Sequence, residues 1–473
     1  MKKLLVIMLA IVLAFGCFGG CSCGDDDEDD GKIKIIVGVQ SDTAENSLMR
    51  KWKAEYEKTN PEIKIAIQNI SGNYAQSMQQ FEDAGKKAPD IIWTTGEQHA
   101  KWSDHGLFIN LKSRIESDTS SDKIDFDNFY PEMVEMTHKN AIDDGIYFVP
   151  RDYNKCIIVI NKKVFRDCGF TDVEIAGLKD DWGYTQFLTV CQRLRTAMDS
   201  DSRYGDKTKA VPLDARIDFN ASYIPLLLQC GAKLIEDNGK VDYTSSANIE
   251  AYKAIHDLVD KGYIADELNR SAAAFDYVKA AMKVDVRPNI PNLPDTPEDY
   301  DIDFLPLPLD QVGVGCSGYA ISKYAKERVS DSEFNTEKLT NEEYAYRFIK
   351  YIVSEAGQRV GSEIGSIIPV LKSLATDPCW TNYTNGTTIA ATANHAAFVS
   401  YPEKDFNLKV YREFTPAHAQ NIIDAWSAVM MQVIRTNNYS TEDPTCSALI
   451  AAINNIQNVG AIRQYEKAYV KAA

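Results

Sequence analysis

The chain has 473 residues, and its 51 Lys and Arg residues against 68 Asp and Glu residues give a formal net charge of −17. This acidic balance argues against a nucleic-acid partner, because neutralising phosphates requires a basic face. A hydrophobic content of 44% over this length predicts a globular protein with large cores and two or three domains.

The N-terminus has the pattern of an export signal. Two lysines precede an apolar run over residues 4–16, which is too short to span ~30 Å of hydrocarbon. We therefore predict a signal peptide over residues 1–16 rather than a membrane-spanning anchor. Gly16 and Cys17 resemble a lipoprotein cleavage site, so Cys17 is the predicted lipidated residue, with Cys21 as the second candidate.

A dense acidic block follows the cysteines. Residues 25–30 are all Asp or Glu, and like charges so closely spaced repel one another into an extended segment. We predict that residues 17–31 form a lipidated tether that holds the globular part away from the membrane. The protein would then lie on the outer face of the cell membrane or in the periplasm.

The cysteines and histidines show no metal-ligand spacing. The cysteines beyond the tether lack CxxC pairs and mostly sit in apolar runs, which predicts buried thiols rather than a disulfide framework. The six histidines form no His-Glu-x-x-His motif. The sequence therefore predicts no metal site and no cofactor.

The globular part opens with alternating strands and helices. Apolar periodicity predicts strands over residues 33–39, 63–67 and 90–93, separated by helices over 44–56 and 74–84. Such units imply a mostly parallel sheet with right-handed crossovers, whose ligands bind outside the carboxyl ends of the strands. The candidate ligand residues at those ends are Gln40, Thr95 and Glu97.

A polar break separates two extended stretches at residues 147–150 and 156–161. Its residues Arg151, Tyr153 and Asn154 suit a pocket wall beside a chain crossover, and a salt-bridged turn is the alternative interpretation. The glycine-rich segment 312–322 lacks the residues of a phosphate loop or a nucleophile elbow. Its glycines instead predict close backbone approach in a crossing strand.

The remaining elements are predicted from the same periodicities. Helices are expected over residues 182–197, 248–261, 275–282, 341–354, 417–435 and 444–472, and an extended segment over 211–214. The prolines between residues 287 and 297 predict a stiff loop without regular structure.

An ordered set of short motifs runs through nearly the whole chain after the tether. The motifs are Ala44-Glu45-Asn46, Trp52, Glu55-Tyr56-Glu57, Asn60-Pro61-Glu62-Ile63-Lys64, Ala88-Pro89-Asp90-Ile91-Ile92-Trp93, residues 150–154, Asn161-Lys162, residues 260–264, Ala280-Ala281-Met282, residues 317–322, Phe348-Ile349-Lys350, Gly357-Gln358 and Ile367-Ile368-Pro369. In this order they resemble the family 1 extracellular solute-binding proteins of ABC transporters, which include the maltose/maltodextrin-type receptors.

The resemblance implies an α/β fold of two lobes, the type II periplasmic-binding-protein class, with mixed, mostly parallel sheets flanked by helices. Three crossovers would join the lobes. The resulting lobe assignment is residues 32–150 and 314–368 in lobe 1, and 151–313 and 369–473 in lobe 2.

The same resemblance implies a sugar or oligosaccharide bound between the lobes. Sugars suit pockets of rings and amides, because their C–H faces stack on rings while their hydroxyls need oriented polar partners. Core packing is the alternative role for each ring. The further candidate ligand residues are Asp214, Tyr223, Ser317, Gly318, Tyr319 and Trp426.

Two departures from the family pattern point to a more polar ligand. Gln40 stands where many members have an aromatic residue, and residues 284–289 replace a Gly-Pro-Trp motif. Arg287 lies in that second segment, and its guanidinium could clamp a sugar carboxylate, a phosphate or two hydroxyls. A surface ion pair is the alternative role for Arg287.

We therefore expect a monomeric binding protein, not an enzyme, that presents its solute to the ABC permease subunits in the membrane. The alternatives are a receptor for a sugar acid or sugar phosphate, a co-receptor that feeds a sensor, and a secreted carbohydrate-active hydrolase. A hydrolase would need a pair of carboxylates about 5–10 Å apart.

Overall fold

In the computed structural model of the protein, the described residues are 31–70, 73–84, 88–180, 182–204, 210–217, 219–265, 274–440 and 442–469. The predicted signal peptide, Cys17, Cys21 and the acidic run lie outside them. Within these ranges, no helix is both long and apolar enough to cross a membrane.

Strands and helices alternate along most of the chain. The strands are β1 (Ile33–Gln40), β2 (Ile63–Ile70), β3 (Ile91–Thr95), β4 (Val149–Pro150), β5 (Asp152–Lys155), β6 (Ile157–Asn161), β7 (Val211–Asp214), β8 (Ala280–Asp285), β9 (Ile302–Pro306), β10 (Val312–Gly315), β11 (Ser317–Ile321), β12 (Ile368–Pro369) and β13 (Asp405–Phe406). The α-helices are α1 (Thr43–Thr59), α2 (Tyr74–Ala84), α3 (His99–Asp104), α4 (Lys112–Glu116), α5 (Pro131–Glu135), α6 (Lys162–Asp167), α7 (Asp172–Gly177), α8 (Tyr184–Ser200), α9 (Asn220–Gln229), α10 (Ser246–Asp260), α11 (Asn341–Val353), α12 (Glu355–Ser362), α13 (Pro378–Thr381), α14 (Pro416–Val433), α15 (Ser447–Asn454) and α16 (Val459–Ile462).

The first lobe is built on a sheet with the strand order β2-β1-β3-β11-β4. β1 runs parallel to β2 and β3, while β11 runs antiparallel to β3 and β4. Helix α1 begins where the Asp42 side chain accepts a hydrogen bond from the Glu45 amide, an ordinary N-cap. The α1 residue Trp52 donates to the Gly357 carbonyl at 2.7 Å, which ties α12 to this lobe.

The second lobe is built on a sheet with the order β7-β8-β6-β9. All residues of the central strand β6 are buried, as its β-branched apolar run requires. Helices α9, α10 and α14 pack together on this lobe, where the Tyr252 hydroxyl donates to the Tyr243 carbonyl and the Tyr243 hydroxyl donates to the Ile422 carbonyl.

A third sheet, with the order β12-β5-β10-β13, lies between the lobes and is called the hinge sheet below. The chain passes from the first lobe through β5 into the second lobe between Val149 and Asn161, and only Cys316 separates β10 from β11. The crossovers are thus strands of one shared sheet.

Close packing at the hinge explains two of the glycines. A Cβ at Gly313 would lie 2.1 Å from the Ala221 carbonyl oxygen, and one at Gly318 would lie 2.1 Å from the Val149 carbonyl oxygen. Such contacts are far shorter than van der Waals distances, so the backbones approach closely only because no side chain is present. This confirms the role predicted for the glycine-rich segment.

Several local predictions are wrong. Residues 275–282, predicted as a helix, contain the start of β8, because hydrogen bonds to β6 and β7 on either side outweigh the helix propensity of Ala-Ala-Met. The predicted loop after it contains a 3₁₀ helix, Arg287–Asn292. The predicted helix over 444–472 is broken into α15 and α16, with Asn458 in a left-handed conformation at φ 68°.

The segment after β12 packs against a different lobe from the one that the sequence predicts. Leu371 pairs with Phe129 of the first lobe, and Arg359 donates to Asp377 at 2.7 Å. Residues 371–377 therefore pack against the first lobe, although the sequence places everything after residue 368 in lobe 2. Further along, Ile389 pairs with Ile302 of the second lobe.

Candidate functional site

A cavity of about 410 Å³ lies between the two lobes, against the hinge sheet. The first lobe contributes the carboxyl end of β3 and the residues that follow it, and the second lobe contributes the start of α9 and the segment after β8. The lining residues are Trp93, Thr95, Gly96, Glu97, Gln98, Met136, Asn154, Phe219, Asn220, Ala221, Val286, Pro288, Gly313, Val314, Gly315, Cys316 and Ser317. Its volume falls in the range of ~300–1,000 Å³ typical of small-molecule sites.

Each lobe places one aromatic ring at this cavity. Trp93 of β3 is held by an edge-on contact with Tyr74, whose ring centroid is 6.1 Å away. Phe219 immediately precedes α9 and lies under the guanidinium of Arg216, 5.2 Å from the ring centroid. Two rings carried by different lobes can contact opposite faces of one ligand.

Two amide oxygens at the cavity are buried without a hydrogen-bond partner. They are Oδ1 of Asn154 and Oε1 of Gln98. The Asn154 amide nitrogen is held in place, because it donates to Asp152 Oδ1 at 3.0 Å. Buried acceptors are normally satisfied, so a ligand with hydroxyl groups would supply what these oxygens lack.

Glu97 joins the lobes across the cavity. Its Oε2 accepts a hydrogen bond of 3.0 Å from Asn220 Nδ2 of α9. Burial raises the pKa of the Glu97 carboxyl, while the Asn220 amide and the nearby Arg412 act in the opposite direction. This hydrogen bond therefore joins the two lobes directly.

Four of the residues predicted from the sequence line the cavity: Thr95, Glu97, Asn154 and Ser317. Three of them, all except Asn154, lie at the carboxyl end of β3 or at the start of β11 beside it. The rule that ligands of α/β sheets bind at strand ends therefore located Thr95 and Glu97, whereas Ser317 was a candidate through the family resemblance.

Arg151 was predicted as a pocket residue, but the structure buries it away from the cavity. Its guanidinium donates to Glu45 and lies 3.3 Å from Asp152, with the rings of Trp52 and Tyr319 5.7 and 5.8 Å away. Burial alone would lower the pKa of Arg151, but the two carboxylates raise it above its usual range. The salt-bridged turn that the sequence left as the alternative describes this residue.

The four aromatic residues predicted to stack on sugar are core residues in this structure. Tyr153 stacks on Tyr130 at 4.3 Å and donates to Asp405 at 2.6 Å. The other three, Tyr223, Tyr319 and Trp426, are at most 1% exposed. The Tyr319 ring lies edge-on to Trp52, and the Trp426 ring lies edge-on to Tyr243. Their apolar surroundings on helices and sheet faces explain their burial.

The remaining predicted residues also lie outside the lining. Asp214 ends β7 and is 4% exposed. Gln40 ends β1, and its backbone carbonyl accepts from Asn46. Gly318 serves the close approach to Val149 already described.

Arg287 faces away from the cavity, although its neighbours Val286 and Pro288 line it. Its guanidinium donates to His395 Nδ1 at 2.8 Å and to the Trp380 carbonyl at 3.0 Å, and rings surround it at 5.3–5.5 Å. The prediction that Arg287 clamps a ligand is corrected by this placement. The segment was located correctly, but the side chain points to the opposite side of the backbone.

Sequence reasoning missed several lining residues, including Trp93, Gln98, Phe219 and Asn220. Gln98 directly follows a predicted strand-end residue, and Phe219 and Asn220 stand between β7 and the helix after it. The strand-end rule applied to the second lobe would have indicated them. In the part of the chain that the structure describes, no group of three His, Cys, Asp or Glu residues is placed to hold a metal ion.

Two lobes on α/β sheets, a shared hinge sheet and a cavity between them define a binding protein of the two-lobe periplasmic class. Residues 40–359 match the family model described as bacterial extracellular solute-binding protein, and the chain belongs to this family. Comparison with curated protein sequences gives no significant match.

Solved structures of low sequence identity share the fold. An ABC substrate-binding protein from Listeria monocytogenes in complex with cycloalternan has a TM-score of 0.69 at 18% identity, covering 91% of this chain and 99% of that one. The sugar-binding protein MalE from Xanthomonas citri has a TM-score of 0.66 at 15% identity, covering 91% and 97%. The GacH receptor of Streptomyces glaucescens, solved unliganded and with acarbose, has a TM-score of 0.64 at 17% identity, covering 93% and 100%.

Proposed function

We propose that this protein captures a neutral sugar or oligosaccharide in the interlobe cavity and delivers it to the permease of an ABC importer. The cavity lining carries this proposal. It combines one ring from each lobe, Trp93 and Phe219, with amide and hydroxyl side chains, and two of its amide oxygens have no partner. Stacking surfaces together with oriented polar groups suit the two kinds of surface that a sugar presents.

The similar structures support the same class of ligand. The Listeria protein was solved in complex with cycloalternan and the Streptomyces receptor with acarbose, and the Xanthomonas protein is a sugar-binding protein. At such low sequence identity the similarity shows only a shared fold, so the choice of ligand class rests on the lining of the cavity.

The charge of the lining favours a neutral solute over a sugar acid or a sugar phosphate. Among the described lining residues, Glu97 is the one charged side chain, and Lys and Arg are absent. Anionic ligands are normally held by charge-assisted hydrogen bonds from cationic side chains.

Titration calorimetry with mono- and oligosaccharides, sugar acids and sugar phosphates tests the proposal on the wild-type protein. We expect binding of a neutral saccharide, and we expect Phe219→Ala to weaken that binding at least ~10-fold, about 1.4 kcal/mol. Phe334→Ala is the matched control, because Phe334 is 51% exposed and is not one of the lining residues. Tight binding of anionic solutes only, or equal affinities of wild type and Phe219→Ala, would contradict the proposal.

We further propose that the protein is exported and held at the membrane by a lipid on Cys17. The support is the sequence pattern of an apolar run ending in Gly16 and Cys17, followed by the acidic tether. Mass spectrometry of the mature protein should show a lipid-modified chain that begins at Cys17, and Cys17→Ser should release the protein from the membrane fraction. A mature chain that begins at residue 18 or later would rule out Cys17.

A gene deletion distinguishes delivery to a permease from a sensory role. Deleting the gene for the protein should abolish uptake of the radiolabelled saccharide if a permease is the partner. Normal uptake with loss of a transcriptional response to the saccharide would instead support the sensory alternative.

A further inference from the structure

The groove between the lobes continues past the cavity at the hinge. A constriction of about 40 Å³ shares Gly96, Glu97 and Met136 with the hinge-side cavity, and it shares Lys409 and Arg412 with an outer cavity of about 510 Å³. The hinge-side and outer cavities are thus separate compartments, with Arg412 lining the constriction between them.

Arg412 extends from the second lobe to the first. Arg412 belongs to the 3₁₀ helix Leu408–Glu413. Tyr411, directly before it, and Phe414, two residues after it, are buried in the second-lobe core and hold this helix in place. The Arg412 guanidinium donates to the Glu135 carbonyl and to the Gly96 carbonyl, the latter at 3.4 Å.

The backbone of Arg412 is held as well. Its carbonyl accepts a hydrogen bond of 3.0 Å from the Ala141 amide of the first lobe. Both the main chain and the side chain of one residue therefore bridge the groove. Burial lowers the pKa of Arg412 to about 10, which leaves the guanidinium charged at neutral pH and able to donate.

We propose that Arg412 is a length filter: it closes the hinge-side cavity, so the protein prefers a mono- or disaccharide to longer chains of the same sugar. This inference rests on the proposed carbohydrate ligand. A cavity of about 410 Å³ lies toward the small end of the ~300–1,000 Å³ range of ligand sites. A longer saccharide that extends from the hinge-side cavity toward the outer cavity has to pass the constriction lined by Glu97 and Arg412, where Arg412 donates to backbone carbonyls of the first lobe.

The experiment is calorimetry with linear oligosaccharides of one to five units, from glucose, galactose, mannose, xylose and N-acetylglucosamine. For the sugar that binds, wild-type affinity should fall at least ~10-fold between the disaccharide and the tetrasaccharide. Arg412→Ala should abolish this fall, because it joins the two compartments. Arg412→Met keeps the bulk of the side chain without its donors and should give an intermediate result.

Arg193→Ala is the matched control, since Arg193 is an exposed arginine of the second lobe that lines none of these three cavities. It should keep the length preference of the wild type. Equal wild-type affinities for short and long chains would overturn the filter, and this result requires no variant to fold. A uniform change for all lengths in Arg412→Ala would also overturn it, because that is the effect of an altered lobe closure.

The two proposals fail differently. If no saccharide of any length binds the wild type, the carbohydrate ligand itself is wrong. If saccharides bind without a length preference, the ligand class stands and the role of Arg412 is wrong.

Discussion

Arg151 and Arg287 are both fully buried, at 1% and 0% exposed, yet their surroundings differ. Arg151 faces the carboxylates of Glu45 and Asp152 at the first crossover. Arg287 lies behind the cavity wall among three rings, and its hydrogen-bond acceptors are an imidazole and a carbonyl. Burial lowers the pKa of Arg287 to about 9, whereas the carboxylates raise that of Arg151.

The difference shows how this protein distributes charge. Buried charges hold the crossovers and the back of the second lobe together, whereas the cavity is lined mainly by neutral groups. It also predicts unequal consequences of losing each arginine. Removing Arg151 leaves two buried carboxylates without their cation, while removing Arg287 leaves only neutral acceptors.

The largest expected effect is that of Arg151→Met. The substitution should lower the free energy of unfolding by about 3–5 kcal/mol, because breaking a buried ion pair leaves uncompensated charge. Urea unfolding measures the loss. The double variant Glu45→Gln with Arg151→Met should recover part of it, because one of the two orphaned charges is removed. A loss below about 1 kcal/mol would erase the distinction between the two arginines.

Arg287→Met should lower the free energy of unfolding by less than about 2 kcal/mol. The substitution removes two hydrogen bonds, but it also removes a buried cation that has no carboxylate partner. Saccharide affinity should remain that of the wild type, because the side chain points away from the cavity. Urea unfolding and calorimetry on the same samples provide both values. A tenfold loss of affinity at unchanged stability would restore the ligand-clamp role first predicted for this arginine.

The remaining expected effects are pH dependences of stability with opposite signs, with slopes of about 1 kcal/mol per pH unit. Burial raises the pKa of Asp152 to about 6, so its contribution to stability is present below its unfolded pKa near 3.8 and is lost as the pH rises through 6. Burial and the nearby Arg287 lower the pKa of His395 to about 4, so its contribution is present above 6.5 and is lost as the pH falls through 4.

Difference curves against matched variants isolate these contributions. Between pH 4 and 6, the stability of the wild type relative to Asp152→Asn should fall with rising pH. Between pH 6.5 and 4, the stability of the wild type relative to His395→Gln should fall with falling pH. Gln can replace both bonds of His395, which accepts from Arg287 and donates to the Tyr383 carbonyl at 2.8 Å. Curves of the same sign would refute the contrast between the regions.

The sequence by itself determined the class of fold and one wall of the cavity. The strands that begin the first lobe and the amphipathic helices α1 and α2 follow from local periodicity, which does not depend on the rest of the chain. Thr95 and Glu97 were found because strand ends in α/β sheets have a general relation to ligands. The sequence correctly predicted close backbone approach at the glycines of residues 312–322, because a residue without a side chain lets another backbone segment come near.

Only the tertiary structure decided which side chains face the cavity. Trp93 ends a predicted strand and Tyr153 lies in the predicted polar break, yet Trp93 lines the cavity while Tyr153 packs on Tyr130. Arg287 and Pro288 are adjacent, and only Pro288 reaches the cavity. Which side chains face the cavity depends on strand register and on how the lobes close, and both are set by contacts between residues hundreds of positions apart. A local pattern carries no information about such contacts, because shifting a strand by one residue reverses every side chain in it.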